Sequence, residues 1–422
     1  MTPFLIFGAL LGLLMTGIPV AFTLGILGAG LLAIDGLPLS MVASTLFGGI
    51  NDFVLLAIPL FLLMSNLLLR GGIGRDLFVA MQSWVGHWPG GLGIAALLSC
   101  GVFSAISGSS ITTAATVGTV AIPEMVKRGY SRSLTLGLMA AGGTLGIIIP
   151  PSVPLIIYGA ITEQSIGQLF LAGVGPGILL IVLFGVYVVI ASAIQGTHQA
   201  MPRATWPERL AATRRALPTL LLAGTILGGI YGGIFTPTEA SGIGASVALL
   251  ILAAGGRLSR AVFLGAVRDT VKTTTVIFLI VIGAKIFGQA ITLYQLPAQL
   301  AWLFEDYFNT ATLALLLIAV MLIFIGFFLE SMSMLLIMVP VLMPTVIALG
   351  IDPIWFGIFF VLLIEVALIT PPVGLNLFVI QSLDRAPLSV VAKGALPFVA
   401  IMLGSVFLIA LFPQIVLAIP GL

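Results

Sequence analysis

The sequence predicts an all-α polytopic membrane protein made of two inverted structural repeats. Three observations predict it. The first is composition. Of 422 residues, 60% are hydrophobic and only 7% charged. A soluble domain carries about 25% charged residues, so this chain lacks a water-facing surface, and its mean hydropathy of +1.27 suits a bilayer. The second is an internal echo. Phe103, Ser110, Val120, Pro123, Gly129, Ile148, Pro150, Pro151, Gly173 and Pro176 recur 221 positions later as Phe324, Ser331, Val341, Pro344, Gly350, Ile369, Pro371, Pro372, Gly394 and Pro397. Four of those pairs are prolines, which break the helical hydrogen-bond ladder, where chance placement gives about half a coincidence. The third is the placement of Lys and Arg, which turns the second copy upside down relative to the first.

The elements follow in order. The first apolar stretch, Pro3 to Met15, has no basic region before it and reads as a span rather than a cleaved signal. Spans at about 4–16, 20–34 and 53–69 lead to Arg70 and Arg75. Further cations cluster at Lys127, Arg128 and Arg132, from Arg203 to Arg215, from Arg257 to Lys272, and at Arg385 and Lys393. Short-loop cations stay cytoplasmic. Asp35 to Asp52, Thr162 to Gln164, Thr236 to Glu239 and Gln295 to Asn309 are therefore expected outside, as are both termini. Because the 70–75 and 127–132 clusters share a face, the apolar stretch Gly91 to Met125 must enter and leave on that face. At 1.5 Å per residue, two half-length helices fit there. The result is a re-entrant hairpin with its tip at Ser107-Gly108-Ser109-Ser110. Spans at 133–160 and 172–195 close a first repeat, 1–196, with scaffold spans in 1–70 and the hairpin and broken helix in 91–160.

Residues 197–215, with Trp206, Glu208, Arg209, Arg214 and Arg215, read as a cytoplasmic surface helix joining the halves, or as a solvated loop with snorkelling arginines. The second repeat, 216–422, begins with scaffold spans 216–234, 240–254 and 273–293. Its hairpin, Thr310 to Ile347, is flanked by Glu305, Asp306 and Asp352 and enters from the opposite face, with its tip near Glu330-Ser331. A broken helix at 354–380 ends the 310–380 unit, and 395–415 is the last span. The count is ten spans and two hairpins. Inverted membrane repeats with broken helices are the architecture of secondary transporters, whose site lies where the copies meet.

Four constellations carry candidate chemistry. In Phe103 to Thr113, small and hydroxyl residues end an apolar half-helix. Irregular backbone at membrane depth survives only where it is buried in protein or lines a cavity. Oxygens of Ser107, Gly108, Ser109 and Ser110 suit sodium. The helix N-terminus beyond Ser110 offers its positive end to an anion, so Ser109 and Ser110 are also substrate candidates. Small-residue helix packing is the alternative. At the second tip, Leu329 to Ser333, Glu330 sits mid-run in apolar sequence and is a functional candidate by default. It and Ser331 are sodium candidates, Ser331 a substrate candidate as well, and a structural hydrogen bond is the alternative. The breaks are Gly142 to Gly146 leading into Pro150-Pro151-Ser152-Val153-Pro154, and Glu365 leading into Thr370-Pro371-Pro372-Val373-Gly374-Leu375-Asn376. Each double proline removes two amide donors and frees upstream carbonyls. Thr144, Pro150, Thr370, Pro371 and Gly374 become sodium candidates, and Pro151, Ser152 and Asn376 substrate candidates. A plain proline kink is the alternative.

Other classes fare worse. The single cysteine, Cys100, excludes an internal disulfide and makes a Cys cage untenable. No Gly-Lys pair exists, so there is no P-loop, and no basic patch with interleaved aromatics points to nucleic acid. An intramembrane serine hydrolase at Ser107-Gly108-Ser109 needs a base. His87 and His198 sit at expected membrane borders, and no spacing joins Lys285 to the serines. A channel fits opposed hairpins less well than alternating access does. No organic cofactor is expected.

Arg70-Gly71-Gly72-Ile73-Gly74, Phe103 to Ser110, Gly146-Ile147-Ile148-Ile149-Pro150-Pro151-Ser152 and Thr370 to Asn376 resemble the large membrane subunit of tripartite ATP-independent periplasmic (TRAP) transporters, over essentially the whole chain. The resemblance implies sodium-driven uptake of a small organic acid across the bacterial inner membrane. It implies two partners, a small four-helix membrane subunit, here a separate protein, and a periplasmic substrate-binding protein. It also implies an elevator-type architecture in which hairpins and broken helices move together. By that analogy the first tip faces the second break or its own, and Glu330 and Ser331 join Thr370, Gly374 and Asn376 in the other ion-binding half. A stand-alone sodium-dependent anion symporter is the competing reading.

Overall fold

The computed structural model describes residues 2–36, 38–196, 201–296, 298, 299 and 311–421. Among them every regular element is a helix. In the first half these are α1 (Thr2–Met15), α2 (Val20–Ile34), α3 (Leu39–Ile50), α4 (Ala57–Arg70), α5 (Ile73–Val85), α6 (Gly91–Ser107), α7 (Ser110–Lys127), α8 (Arg132–Ile148), α9 (Val153–Thr162) and α10 (Ile166–Gln195). The second half has α11 (Trp206–Tyr231), α12 (Pro237–Ala254), α13 (Arg260–Leu293), α14 (Ala311–Gly326), α15 (Ser331–Ala348), α16 (Pro353–Leu368), α17 (Leu375–Asp384), α18 (Leu388–Leu411) and α19 (Gln414–Leu417).

Helix starts follow from capping chemistry. Ser109, Ser131, Ser152, Ser165, Thr236, Ser259, Glu330 and Asp352 each accept a backbone N–H from the helix they open, satisfying donors that have no partner inside the helix. The starts also obey the echo. From Ser110 of α7 to Ser331 of α15 is 331 − 110 = 221, and from Arg132 of α8 to Pro353 of α16 is 353 − 132 = 221. Both hairpins form where expected, α6–α7 around Gly108 and α14–α15 around Glu330. Both broken helices form too, α8–α9 and α16–α17, interrupted at Pro150-Pro151 and Pro371-Pro372, two cis bonds. Among the described residues six helical stretches, 132–162, 166–195, 237–254, 260–293, 331–348 and 388–411, are long and apolar enough to cross a membrane on their own.

Three features differ from the sequence reading. The joining helix and the span expected from 216 are one element, α11, because a Thr205–Glu208 capping box starts it and no stop signal follows before Gly232. Asp35 to Asp52, expected as an outer segment, holds α3 against α13. Residues 73–85, given no element, form amphipathic α5, whose Ile73, Leu77 and Phe78 are buried against α6. The outer segment Gln295 to Asn309 lies mostly outside the described residues.

The helices pack in two groups. α2 packs on α13, α13 on α4 and α4 on α12, while α6–α9 and α14–α18 form the other body. The groups meet where α13 packs on α15 and α4 on α6. Arg70 binds Asp269, Arg257 binds Asp76 and Arg132 binds Asp384, each at 2.5 Å, so the cation clusters meet at helix ends. Exposed pairs of this kind contribute about 0–1 kcal/mol each.

Candidate functional site

Both hairpin tips open onto one cavity of about 350 Å³ at the junction of the two groups. Gly108, Ser109 and Ser110 line it from the first tip, Glu330 and Ser331 from the second, and Lys272 from α13. Apolar residues such as Val276, Ile277 and Leu368 form the rest of its wall. Charged and hydroxyl groups thus converge on an apolar space, the usual make-up of a small-molecule site.

The first tip is tightly built. Gly108 adopts φ +59°, and a methyl group there would stand 2.6 Å from the Pro151 carbonyl oxygen, so only glycine fits. The Val153 N–H donates to Gly108 O at 3.4 Å, which joins the tip to its own break. Ser107 and Thr113 hydroxyls bond at 2.7 Å, both fully buried. Ser109 caps α7, accepting from Thr112 N at 3.4 Å. Beneath the cavity wall, Asn376 Nδ2 donates to Ser110 Oγ at 2.7 Å and to Ala140 O at 3.2 Å. Ser110 Oγ donates to Glu365 Oε2 at 3.3 Å.

Asn376 therefore sits with the first tip, not with Glu330 and Ser331 as the analogy implies. The reason is packing: α17 lies on α7 and α8, and the corresponding α9 lies on α15. Each break's second half-helix reaches across to the other copy's hairpin. At the second tip, Glu330 Oε1 accepts from Ser333 N at 3.1 Å and Ser333 Oγ at 2.9 Å, capping α15 while half-buried at the cavity.

The remaining candidates do not line the cavity. Thr144 and Thr370 donate to the carbonyls of Ala141 and Val366, both at 2.6 Å, which uses their hydroxyl protons on nearby backbone, Thr144 within α8 and Thr370 just past the end of α16. Ser152 caps α9 through Leu155 N at 3.4 Å. Pro150 and Pro151 are buried behind the first tip. Pro371 is exposed, and Gly374 opens α17 at φ +47°.

Sequence reasoning misses two residues. It puts Lys272 in a cytoplasmic cluster, yet α13 starts at its Ser259 cap and carries Lys272 twelve residues in, 272 − 260 = 12, about 18 Å along the axis. The cap, followed by Lys272-Thr273-Thr274-Thr275 just before the helix turns apolar at Val276, is the available signal. Glu365 stands in the sequence only as the start of a motif, and its full burial depends on packing that no local pattern announces.

Residues 7–415 match the family described as "Tripartite ATP-independent periplasmic transporter, DctM component". The chain is 40% identical over 383 residues to a C4-dicarboxylate TRAP transporter large permease protein of Pseudomonas aeruginosa, covering 90% of this chain and 89% of that one. It is 36% identical over 414 residues to the sialic acid TRAP transporter large permease protein of Vibrio cholerae, covering 98% and 97%. In fold it is similar to the crystal structure of the YdaH transporter of Alcanivorax borkumensis, with TM-score 0.64 and 16% identity, covering 94% of this chain and 97% of that one.

Proposed function

This chain belongs to the DctM component family of tripartite ATP-independent periplasmic transporters, and on that premise we propose that it carries out sodium-coupled uptake of a small organic acid by an elevator movement. It is a secondary transport component, not an enzyme. One observation supports the cargo best. Lys272, from outside the hairpins, shares a cavity with both tips, and among the described residues neither it nor Glu330 is in an ion pair. A lysine in that setting is a counter-charge for a carboxylate, and Glu330 with the tip oxygens of Gly108, Ser109, Ser110 and Ser331 is one for a cation.

A periplasmic binding protein would deliver the acid to the outer face, and a small membrane subunit would pack on the scaffold. Both termini would lie on the periplasmic side of the inner membrane, with the Arg-rich helix ends in the cytoplasm. The moving body would be α6–α9 with α14–α17, sliding on α2, α4, α12 and α13. The 221-residue echo supports assigning 1–196 and 216–422 as its two inverted copies.

The test is uptake in vesicles holding the assembled transporter. We expect uptake to collapse when choline replaces sodium, Ser109→Ala to weaken sodium dependence, and Lys272→Gln to raise KM for the acid about tenfold, the loss of one charge-assisted contact of about 1.4 kcal/mol. Undiminished uptake in choline ends the sodium assignment. Equal uptake with and without a binding protein favours a stand-alone symporter.

A further inference from the structure

Arg209, at the end of the first turn of α11, is buried, with 5% of its surface exposed. Its guanidinium carbon stands 5.4 Å from the ring centre of Trp84 on α5 and 5.6 Å from that of Trp206. The two rings meet edge to face, 84° apart, so the guanidinium fills the corner between them. Its Nε and Nη2 are nevertheless buried with no hydrogen-bond partner. Those two nitrogens form the side of the guanidinium whose parallel N–H groups fit an oxyanion in pairs. The ring faces attract the charge, but a buried donor without an acceptor still forfeits its hydration.

Among the described residues no acid neutralises it. Of the helices packed on α11, α6 and α10 carry no acid. Asp76 of α5 binds Arg257. Glu239 of α12 binds the N–H and hydroxyl of its own cap, Thr236, and Glu208 does the same with Thr205. The other charges close in sequence, Arg203, Arg214 and Arg215, share its sign and are exposed. The charge balance at this end of α11 calls for an anion. The surface beside it is apolar: Trp206, Leu210, Leu217 and Leu221 are all exposed and lie at helical spacing in one stripe. From Leu210 to Leu221 is 221 − 210 = 11 residues, about 16 Å along the axis. That is close to the hydrocarbon depth of one leaflet, half of about 30 Å.

We infer that this corner is a binding site for an anionic phospholipid: its phosphate takes the Nε/Nη2 side of Arg209, and an acyl chain lies along the stripe from Trp206 to Leu221. Trp84 is fixed, since its ring N–H donates to Thr213 Oγ1 at 2.9 Å. Trp206 is 70% exposed and is the side that swings clear to admit the phosphate. A lipid fits better than a soluble anion because charge and hydrocarbon are met side by side, and tryptophans with arginines suit the level of the headgroups. A net negative headgroup is preferred to a zwitterionic one, because Arg203, Arg209, Arg214 and Arg215 face only Glu208 as an acid in this segment. The lipid would clamp α11 to α5, which leads into the first hairpin. The site lies apart from the cavity and does not depend on the sodium or organic-acid assignments.

The test is a titration of the full-length protein in detergent with phosphatidylglycerol carrying brominated acyl chains, read as quenching of tryptophan fluorescence. We expect saturable quenching in the wild type, and brominated phosphatidylcholine to bind about tenfold more weakly. Arg209→Gln should lose that preference, binding phosphatidylglycerol about tenfold more weakly than wild type. It should fold, with an unchanged or higher melting temperature before lipid is added, because it removes an unpaired buried charge. Arg268→Gln, an exposed arginine on α13, should titrate like wild type, and inorganic phosphate should not relieve the quenching. If Arg209→Gln fails to fold, Arg209→Lys supplies the reading: it keeps the charge, loses the paired N–H side and should weaken the lipid severalfold. Equal affinity for the two lipids, a titration of Arg209→Gln or Arg209→Lys that matches wild type, or relief by inorganic phosphate would overturn the proposal. So would loss of a co-purifying small membrane subunit from Arg209→Gln with lipid affinity intact, which would assign the corner to a protein.

Discussion

The two hairpin tips are sequence equivalents 221 residues apart and both line the cavity, yet the break behind the first is buried and the break behind the second is exposed. At the first, Ser107 and Ser110 are buried, and so are Pro150, Pro151 and Ser152 of the adjoining break. At the second, Glu330 is half-buried, and Pro371, Pro372 and Val373 are exposed. What covers each break accounts for the difference. Gly173 of α10 lies directly on the Ile148 carbonyl, at the first break. Its partner in the echo, Gly394 of α18, lies instead on the Ser133 carbonyl at the far end of α8. Matched glycines make matched close approaches to unmatched neighbours. A duplicated sequence therefore fixes where helices stop and where they pack closely, but not what they pack against.

Substitutions at equivalent places should separate the two sides. The largest effect is expected at Gly146, where any side chain runs into the Ser109 carbonyl. Gly146→Val should cost about 3 kcal/mol by overpacking, seen as a lowered melting temperature in detergent. Its equivalent, 146 + 221 = 367, already carries a side chain, and Ala367→Gly should cost only about 1 kcal/mol. Equal losses would mean that the tips are equally packed. Next, Asn376→Ala removes two buried hydrogen bonds and should cost about 2 kcal/mol. Thr370→Val on the more exposed side forgoes only a local bond back to the last turn of α16 and should stay within about 0.5 kcal/mol. The capping residues come third: Ser109→Ala and Glu330→Ala should each cost about 1 kcal/mol, and a much larger loss at Glu330 would show the second tip to be the better anchored. Smallest of all, Thr144→Val should leave sodium dependence untouched, since that hydroxyl already serves Ala141.

Features with local causes are the readable ones. Double prolines, capping serines and the glycine-serine tip announce helix ends by short-range chemistry, and the echo with the cation placement is enough to locate both hairpins. Helices α3 and α5 stay hidden because their polar residues break the apolar pattern that marks a span. The site is readable at the tips, since Gly108 to Ser110 and Glu330-Ser331 do reach the cavity. It is not readable at Thr144 and Thr370, whose composition looks functional while their hydroxyl protons are already engaged. Lys272 and the Asn376–Ser110 pairing depend on which helices cross. That is a long-range outcome, and spacing along the chain carries no record of it.

Tyr158 has a mechanical consequence. Its ring lies against Gly357 of α16, and its hydroxyl donates to Pro353 O at 2.5 Å, so a side chain of the first copy's broken helix is plugged into the second copy's. It acts as a dowel between them. Any displacement of one half would drag the other along, and spectroscopic probes placed on either half should record one shared time course.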